Sequence, residues 1–289
     1  MIPKAQSNLP EGYNSIMVCE EIRTKNNIYQ HFYVLKTNRN KRHRYGEFLV
    51  EGVRNLNEAI NGGWKIKALF IREGKLADWA QGLVHTTAVI NYRLRKELMR
   101  ELSGKEDTSE LMAVVEMRQE LPEHVRLSEN PFLVVFDRPS NKGNLGTLIR
   151  SCEAFGVDAL LLTGHGVDMY DPEVITSTMG SFFRLPVMRV AENETLFRYL
   201  DVLREKYPGI RVVGSTAHRQ HTIYEAMLQG PLVLMIGNET TGLCQAFKAH
   251  CDELLTIPMN EGSCATPFNV SCAASVMMYE VMRQRREIG

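Results

Sequence analysis

The sequence lacks an excess of charge, a long apolar run and a secretion signal. Among its 289 residues, 34 are Lys or Arg and 34 are Asp or Glu, so the formal net charge is zero and any basic surface for nucleic acid must be local. No apolar run approaches the roughly 20 residues needed to cross a bilayer. The N-terminal stretch MIPKAQSNLPEGY does not have the basic and then apolar layout of a signal peptide. We therefore expect a cytoplasmic protein that does not bind membranes.

Metal-binding cysteine pairs are also absent. The six cysteines, at positions 19, 152, 244, 251, 264 and 272, include no C-x-x-C pair, and most lie in apolar helix or strand patterns. Structural zinc is therefore not expected, and reduced thiols in the protein core are the better interpretation. The pair His218-x-x-His221 has a spacing that metal ligands can have, but no third ligand is evident. We expect no metal site.

Three common enzyme signatures are missing as well. The Rossmann fingerprint G-x-G-x-x-G is not matched, and Gly164-His165-Gly166 gives only a lone G-x-G. The segment GNETTGL has the glycine spacing of a phosphate loop, but Leu243 and Cys244 replace the required Lys and Ser or Thr. No G-x-S-x-G elbow is present. Dinucleotide enzymes, nucleoside triphosphatases and serine hydrolases are all disfavoured.

The C-terminal half alternates short apolar runs with helical patterns. Runs such as FLVVF and LVLMI are continuously apolar, which is typical of parallel strands covered on both faces. The strand candidates are 132–136, 159–162, 211–214, 232–236 and 254–257. Helical patterns lie near 145–155, 172–181, 194–205 and 223–228, and an apolar helix closes the chain. We predict an α/β domain with a mostly parallel sheet, whose ligand site lies in polar loops at the carboxyl ends of the strands.

A smaller α/β domain of about a hundred residues precedes it. Its strand candidates are 48–50, 67–71 and 111–116, and its helical patterns are 53–60, 78–81 and 93–102. The segment 118–130 contains Pro122 and many charges, as expected for a linker. We place the N-terminal domain at residues 13–120 and the C-terminal domain at residues 129–289.

Residues 29–44, YQHFYVLKTNRNKRHR, form a basic stretch in an otherwise neutral protein. One interpretation is the solvated end of a helix. The other is an RNA-binding surface, because Lys and Arg contacts to phosphates give affinity without sequence preference. The candidate RNA-binding residues are Lys36, Arg39, Lys41, Arg42 and Arg44.

Three polar loops carry the remaining candidate chemistry. The first, NKGNLGTLIRSCEAFG at 141–156, follows a buried strand; Asn144 could cap the next helix, and Arg150 could face a cleft. The second, GNETTGL at 237–243, presents Glu239 between glycines. The third, IPMNEGSCATPFNVS at 257–271, brings Asn269 and Ser271 to the start of the last helix. Each loop on its own could equally be an ordinary turn or helix terminus.

Taken in order and at their spacings, these stretches resemble the SpoU family of RNA 2′-O-ribose methyltransferases, within the SPOUT superfamily. The resemblance runs through DRPSNKGNLGTLIRSCEAFGVDALLL, DPEVITSTMGSFFRLPV, VLMIGNETTGL and IPM with FNVSCAASVMMYE, and FLVEGVRNLNEAI resembles the family's ribosomal-protein-like RNA-binding domain. It implies a trefoil-knotted α/β domain, a homodimer, S-adenosylmethionine as cofactor, and an RNA substrate, with ribosomal RNA favoured over transfer RNA.

The resemblance also implies roles for individual residues. The positions that match catalytic and RNA-contacting residues of the family are Asn144, Arg150, Glu239 and Asn269. Those expected to contact the cofactor are Gly237, Ile257, Phe268, Met259 and the segment Ser215, Thr216 and Ala217. Arg150 is expected to contact the 2′-oxygen and either help to remove its proton or stabilise the alkoxide. Glu239 and Asn144 are expected to orient Arg150 and the ribose.

One departure from the family pattern bears on whether the protein is an active enzyme. The family's Ser-Leu-Asn is replaced here by Pro267-Phe268-Asn269, which removes a hydroxyl that Ser263 or Thr266 would have to supply. An active methyltransferase is the main hypothesis. The alternatives are a non-catalytic RNA-binding protein that keeps the fold and, from a different class, a small-molecule or dinucleotide enzyme on a doubly wound sheet.

Overall fold

The protein is described by a computed structural model that covers residues 19–286 apart from 88, 219–220, 261 and 263–267. The sequence-based expectations for Ser263, Thr266 and Pro267 therefore lie outside the described residues. The chain forms two compact units. One contains the described residues up to Arg118 together with Tyr170–Thr176, and the other contains Gln119–Met169 and the described residues from Ser177 onward.

The first unit is built on a five-stranded mixed sheet. Its elements in chain order are β1 (Cys19–Ile22), α1 (Asn27–Thr37), α2 (Arg39–Tyr45), β2 (Glu47–Glu51), α3 (Val53–Asn61), β3 (Ile66–Arg72), α4 (Asp78–Thr86), β4 (Ile90–Leu94), α5 (Lys96–Ser103) and β5 (Leu111–Glu116). The sheet order is β1-β4-β3-β5-β2, with β5 antiparallel to both of its neighbours. The expected helix at 93–102 begins only at Lys96, because Arg93 and Leu94 pair as part of β4.

Asparagine caps and aromatic packing explain how the helices of this unit are placed. Asn26 accepts a hydrogen bond from the backbone N–H of Tyr29 at the start of α1, and Asn38 accepts one from Lys41 at the start of α2. The buried ring of Phe32 on α1 lies 4.1 Å, centroid to centroid, from that of Phe70 on β3. Burial of such rings against the sheet is a large apolar contribution to folding.

Residues 170–176 belong to this first unit, although the sequence-based division places them in the C-terminal domain. The ring of Tyr170 lies 4.8 Å from that of Phe48, and its hydroxyl donates to the carbonyl of Arg118 at 2.8 Å. Asp171 pairs with the buried guanidinium of Arg42 at 3.3 Å. An aromatic contact and a buried ion pair therefore hold this segment, and neither contact is visible in its local sequence.

The second unit is built on a seven-stranded sheet in which every pair is parallel. After a 3₁₀ turn at Pro122–His124, its elements are β6 (Phe132–Phe136), α6 (Lys142–Ala154), β7 (Ala159–Thr163), α7 (Pro172–Thr178, which starts in the first unit), β8 (Val187–Val190), α8 (Asn193–Lys206), β9 (Arg211–Ser215), β10 (His221–Thr222), β11 (Leu232–Ile236), α9 (Gln245–His250), β12 (Glu253–Thr256) and α10 (Val270–Arg286). A second 3₁₀ turn, Ser181–Phe183, follows α7. The sheet order is β10-β12-β9-β11-β6-β7-β8.

Helices cover both faces of this sheet, as the continuously apolar strands predict. On one face, Leu196 and Leu200 of α8 share a buried cluster with Leu133, Leu161 and Met235 of the central strands. The helices α6 and α10 pack against each other, and the hydroxyls of Ser151 and Ser275 hydrogen-bond across their contact at 2.7 Å. The strand order turns back at β6, since β7 and β8 lie on one side and β11 and β9 on the other. Parallel sheets bind ligands outside the carboxyl ends of strands at such a point.

Residues 223–228 do not form the helix that their pattern predicts. They form turns, in which the carbonyl of Ala226 and the N–H of Leu228 hydrogen-bond with the side-chain amide of Gln284 on α10. Two backbone groups of this segment are therefore satisfied by a distant side chain, and the N–H of Ile223 donates to the carbonyl of Thr256, so no i to i−4 ladder forms here. The sequence pattern also missed β8, β10 and α9, which are only four, two and six residues long.

No helix among the described residues is long and apolar enough to cross a membrane.

We predict that Gly214→Ala destabilises the second unit. A Cβ atom at this buried position would lie 2.7 Å from Sγ of Cys251 and 2.7 Å from Cδ2 of Leu254, so both side chains must move. Overpacking of this kind costs about 1–3 kcal/mol. We expect a lower midpoint of thermal unfolding, measured by near-ultraviolet circular dichroism. The control is Gly230→Ala, where no atom lies within 4 Å of the added carbon; equal midpoints for the two variants would contradict the prediction.

Candidate active site

One pocket of the second unit, with a volume of about 310 Å³, opens beside the carboxyl ends of β9, β11 and β12, which are neighbours in the sheet. It is lined by the segments that follow these three strands and by the first turns of α10. All seven residues that the resemblance predicts to contact the cofactor line it: Ser215, Thr216, Ala217, Gly237, Ile257, Met259 and Phe268. The sequence predicts that these residues contact the cofactor, and the structure shows that they line one cavity.

The lining of this pocket combines apolar side chains with polar groups, as is usual for a site that binds a nucleoside. Leu255, Ile257 and Met277 contribute apolar surface, and two large apolar side chains remain partly exposed at the pocket, Met259 at 38% and Phe268 at 50%. Exposed apolar side chains in a concave site are suited to be covered by a ligand. The hydroxyls of Thr240 and Thr241 and the backbone of the 237–243 loop add hydrogen-bonding groups. The pocket therefore fits an adenosine-containing cofactor.

The loop that follows β11 is a tight hairpin. Asn238 and Gly242 exchange backbone hydrogen bonds of 3.1 and 2.9 Å, and the side-chain oxygen of Asn238 accepts from the N–H groups of Thr240 and Thr241. A Cβ atom at Gly237 would lie 2.2 Å from the backbone nitrogen of Leu243, so no larger residue fits. Gly237 is thus required for the close approach of two backbone segments beside the pocket.

Glu239, at the tip of this hairpin, binds the start of α6. Its carboxylate accepts hydrogen bonds from the backbone N–H and hydroxyl of Ser140, at 3.0 and 2.7 Å, and from the N–H of Asn141 at 2.9 Å. Burial alone raises the pKa of Glu239, but the Ser140 hydroxyl and the backbone N–H groups outweigh burial, so the pKa lies below its ordinary value of 4.5. Glu239 is held as a carboxylate beside the N-terminus of α6, where the helix dipole favours a negative charge.

Asn144 and Asn269 continue this network to the last helix. The side-chain amide of Asn144 donates to Glu239 at 3.4 Å, and its oxygen accepts from the amide of Asn269 at 3.0 Å. The oxygen of Asn269 accepts from the N–H and hydroxyl of Ser271, which makes Asn269 the cap of α10, as expected. Three of the four predicted catalytic residues thus form one continuous hydrogen-bonded chain.

The expectation that Asn144 caps α6 was wrong. The capping residue is Asn141, whose side-chain oxygen accepts from the backbone N–H of Asn144 at 2.9 Å. Asn144 lies within the first turn of the helix, so its side chain is available for Glu239 and Asn269. The sequence contains two asparagines three residues apart, and only the structure distinguishes which one lies outside the helix.

Arg150 is separate from this network. It lies six residues after Asn144 on α6, which places the two side chains about 120° apart around the helix axis. It is exposed, and it has no hydrogen bond or ion pair with any residue that the structure describes. The expectation that Glu239 orients Arg150 is therefore not met here, because the Glu239 carboxylate is occupied by the start of α6.

Sequence reasoning missed Asp137 and Arg138. The carboxylate of Asp137, fully buried at the end of β6, accepts from Nε and Nη2 of Arg138, both at 2.9 Å, from the hydroxyl of Thr163 at 3.2 Å and from the N–H of Cys244 at 3.0 Å. The carbonyl of Arg138 accepts from the amide of Asn238 at 2.8 Å. The sequence does contain a signal for Asp137, since this acidic residue directly follows the apolar run FLVVF. A carboxylate buried at the end of a strand needs hydrogen-bond donors, which predicts a network at this position.

The basic stretch divides into buried and exposed parts. Arg42 is 2% exposed, donates to the carbonyls of Leu35 and Lys36 and pairs with Asp171, so the prediction that it contacts RNA was wrong. The ammonium of Lys36 donates to the carbonyl of Glu101 at 2.9 Å, and burial lowers its pKa. Of the other members, Arg39 and Arg44 are exposed and Lys41 is half-buried, with its ammonium 5.9 Å from the centroid of the Tyr45 ring.

The other candidate ligands have partners inside the protein. His221 hydrogen-bonds through Nδ1 to Glu253, and no cluster of three or more potential metal ligands occurs within the residues described here. Cys19, Cys152, Cys244, Cys251 and Cys272 are free thiols. Burial raises the pKa of the Cys251 thiol to about 12, so it is unreactive at neutral pH.

We predict that Glu239→Gln destabilises the protein by about 1–3 kcal/mol near neutral pH, because the amide brings N–H donors towards the N–H groups of Ser140 and Asn141. A carboxylate whose pKa is lowered by folding stabilises above its unfolded-state pKa and loses that effect as pH falls through the folded-state value. The difference from the wild type should therefore be largest above about pH 4.5 and shrink below it. Urea unfolding across pH measures this, with exposed Glu205→Gln as control; a difference that grows on acidification would contradict the prediction.

Several characterised methyltransferases are similar to this chain. It is 36% identical over 266 residues to the 23S rRNA (uridine(2479)-2'-O)-methyltransferase of Streptomyces viridochromogenes, which covers 91% of this chain and 92% of that protein. The crystal structure of the SpoU methyltransferase AviRb from the same organism, in complex with the cofactor AdoMet, has a TM-score of 0.86 at 36% identity and covers 90% of this chain and 98% of that one. The 23S rRNA (guanosine-2'-O-)-methyltransferase RlmB of Yersinia pestis is 33% identical over 201 residues, 68% of this chain and 79% of RlmB.

Two family models also match, and they cover both units. Residues 26–113 match the SpoU L30e-like domain, and residues 131–279 match the SpoU rRNA Methylase family. The resemblance seen in the sequence motifs is thereby confirmed, as is the mostly parallel sheet of the C-terminal half. The chain belongs to the SpoU rRNA methylase family, with a SPOUT methyltransferase fold preceded by a SpoU L30e-like domain.

Proposed function

We propose that this protein transfers a methyl group from S-adenosylmethionine to a ribose 2′-hydroxyl of RNA, with ribosomal RNA as the substrate. The observation that carries the proposal is the direct connection between the pocket and the hydrogen-bonded chain of Glu239, Asn144 and Asn269, since Glu239 and its hairpin contribute to both. The 23S rRNA 2'-O-methyltransferase of Streptomyces viridochromogenes, similar along nearly the whole chain, supports the substrate class.

The cofactor is proposed to occupy the pocket at the ends of β9, β11 and β12. Ile257, Met259 and Phe268 would contact the adenosine through apolar surface, and Ser215 to Ala217 and the backbone at Gly237 would border it. When bound, S-adenosylmethionine supplies an electrophilic methyl group on a sulfonium. The solved AviRb complex with AdoMet, which has the same fold at 36% identity, supports this assignment.

The residues of the chain would place the ribose and stabilise its oxygen. Asn144 and Asn269 are fixed by hydrogen bonds to each other and to Glu239. Their side-chain amides could therefore bind the ribose without first having to reorient. Arg150 would donate hydrogen bonds to the developing alkoxide. Arginine stays protonated in proteins, so stabilisation of the alkoxide is a better role for it than removal of the proton. The proton would then leave to a neighbouring phosphate or to solvent.

The larger arrangement is also part of the proposal. We place an RNA-binding domain at residues 13–120 and the methyltransferase domain at 129–289, with a trefoil knot around the pocket and a homodimer as the working form in the cytoplasm. Val276 and Tyr279 on α10 are exposed large apolar side chains, at 44% and 52%, which is a feature of subunit interfaces. The alternative, a non-catalytic RNA-binding protein, is less well supported because the Glu239, Asn144 and Asn269 chain is intact.

We expect Arg150→Ala to reduce methyl transfer by about 10² to 10⁴-fold while leaving cofactor affinity nearly unchanged, because Arg150 does not line the pocket. The assay is transfer of labelled methyl groups to unmodified bacterial RNA, with cofactor binding measured by calorimetry. Label should enter one RNA species and make the bond after one nucleotide resistant to alkali. Exposed Arg198→Ala on α8 is the control.

Two results would overturn this assignment. If Arg150→Ala loses cofactor binding together with transfer, Arg150 is a ligand-binding or structural group. If the wild type binds S-adenosylmethionine and RNA but transfers no label to any RNA species, the non-catalytic alternative replaces the proposed function.

The exposed part of the basic stretch is expected to bind RNA phosphates. A variant with Arg39→Ala, Lys41→Ala and Arg44→Ala should have a higher KM for RNA and an unchanged kcat. The dependence of log KM on log salt should also become shallower, by about 0.7 for each lost contact to single-stranded RNA. The matched control removes Arg198 and Lys206 on α8. An unchanged KM and salt dependence would exclude this stretch from the RNA path.

Arg42 must stay intact in that variant. Its guanidinium is buried against Asp171 and two backbone carbonyls, and the removal of one partner from a buried ion pair costs about 3–5 kcal/mol. A fourfold variant that included Arg42 would therefore lose RNA affinity through unfolding, whatever the role of its neighbours.

A further inference from the structure

Lys248 is a charged residue of the pocket that the mechanism above does not use. It lies on α9, whose position is fixed by the buried side chain of Phe247, and Phe247 packs against the ring of Phe197 at a centroid distance of 5.5 Å. Lys248 itself is half-buried and lines the pocket next to the 237–243 hairpin. The short helix therefore holds a lysine at the edge of the proposed cofactor site.

The ammonium of Lys248 has no partner in the part of the chain that the structure describes, as no hydrogen bond or ion pair joins its side chain to any described residue. Apart from His218, the charged side chains among the described residues of the lining are Lys248 and Glu239. Glu239 forms no ion pair with Lys248, and its carboxylate oxygens accept hydrogen bonds at the start of α6 instead. The ammonium of Lys248 is thus available to a ligand in the pocket.

This charge is unfavourable for most of the proposed cofactor. S-adenosylmethionine carries two positive groups, the sulfonium and the α-ammonium, and one negative group, the carboxylate. A lysine in the wall would repel the first two and attract the third, and a partly buried site screens such forces less than bulk water does. Of the charged groups of the cofactor, the carboxylate is the one that the ammonium of Lys248 attracts.

We propose that Lys248 binds the carboxylate of the methionine portion of the cofactor, and so determines which way the cofactor lies in the pocket. Thr240, in the adjoining hairpin, lines the same pocket, and its hydroxyl can complete the site for the carboxylate, whereas the hydroxyl of Thr241 donates to the side-chain oxygen of Asn238. The adenosine is then left to the apolar side chains of Ile257, Met259 and Phe268, which belong to a different segment of the chain. This inference rests on the proposed placement of the cofactor in this pocket.

The test is calorimetric binding of three ligands to Lys248→Met: S-adenosylmethionine, S-adenosylhomocysteine and decarboxylated S-adenosylmethionine. The first two have the carboxylate and the third lacks it but keeps the sulfonium and the amine. Loss of one charge-assisted hydrogen bond should raise Kd about tenfold to a hundredfold for the two carboxylates. The Kd of the decarboxylated ligand should change by less than about threefold or decrease, because a repulsive charge is removed. Lys248→Arg, which keeps the charge, should retain most of the affinity.

Two control variants separate this inference from the proposed function. Lys206→Met removes a lysine from α8 outside the pocket and should leave every Kd unchanged. Ala217→Trp adds bulk to the pocket wall and should weaken all three ligands alike. If Ala217→Trp has no effect, the cofactor does not occupy this pocket and the placement fails.

If Ala217→Trp weakens binding as expected, four outcomes bear on Lys248 alone. A Kd for S-adenosylmethionine within twofold of the wild type in Lys248→Met would overturn the proposal. An equal loss of affinity for all three ligands would also overturn it, because the lysine would then support the pocket without binding the carboxylate. Unchanged cofactor binding with a raised KM for RNA would assign Lys248 to an RNA phosphate. A loss confined to the two carboxylates would support the proposal.

Discussion

The buried carboxylate of Asp137 is the interaction on which the geometry of the site depends. It stands at the end of β6, where the order of the parallel sheet turns back, and it receives hydrogen bonds from Arg138, Thr163 and the N–H of Cys244. These partners belong to the loop after β6, the end of β7 and the end of the 237–243 hairpin. A charge removed from water at this depth has to be matched by donors, so the three segments cannot separate without exposing or unpairing it. The hairpin beside the pocket is positioned in this way.

The predicted catalytic residues serve the fold and the site at the same time. Glu239 and Asn269 satisfy backbone N–H groups at the starts of α6 and α10, and Asn144 joins them. Helix N-termini leave several N–H groups without partners, and polar side chains there have a structural role in any fold. Here Glu239 also lines the pocket, and Asn144 and Asn269 are joined to it by hydrogen bonds, so their order needs no further support from a ligand. A loss of activity in these variants therefore has to be separated from a loss of stability before it is called catalytic.

Sequence patterns correctly predicted strands that are buried on both faces. They failed where the structure of a segment depends on a residue far away in the sequence. The central strands at 132–136 and 232–236 are continuously apolar because both faces are buried, and they have the predicted bounds. The segment 223–228 has helical spacing, but the side-chain amide of Gln284 hydrogen-bonds to the carbonyl of Ala226 and the N–H of Leu228. Arg42 looks like its basic neighbours, and only the packing of Asp171 against it makes it internal. Motif order grouped the residues that the structure places around one pocket, whereas Asp137 required knowledge of which loops meet at the end of β6.

Among the described residues, groups around the pocket are held by hydrogen bonds, and Arg150 is not. The hairpin, the two asparagines and the helix starts are tied together by hydrogen bonds within the described part of the chain, so a nucleoside would meet groups already in place. Arg150 is exposed on α6 and has no partner among those residues, and holding its long side chain in one rotamer costs conformational entropy. Contacts with RNA elsewhere on the protein would have to offset that cost. Enzymes commonly use the binding energy of non-reacting parts of a substrate to offset the cost of orienting the reacting groups. Under the proposed mechanism, transfer would then depend on RNA contacts that hold Arg150 in place.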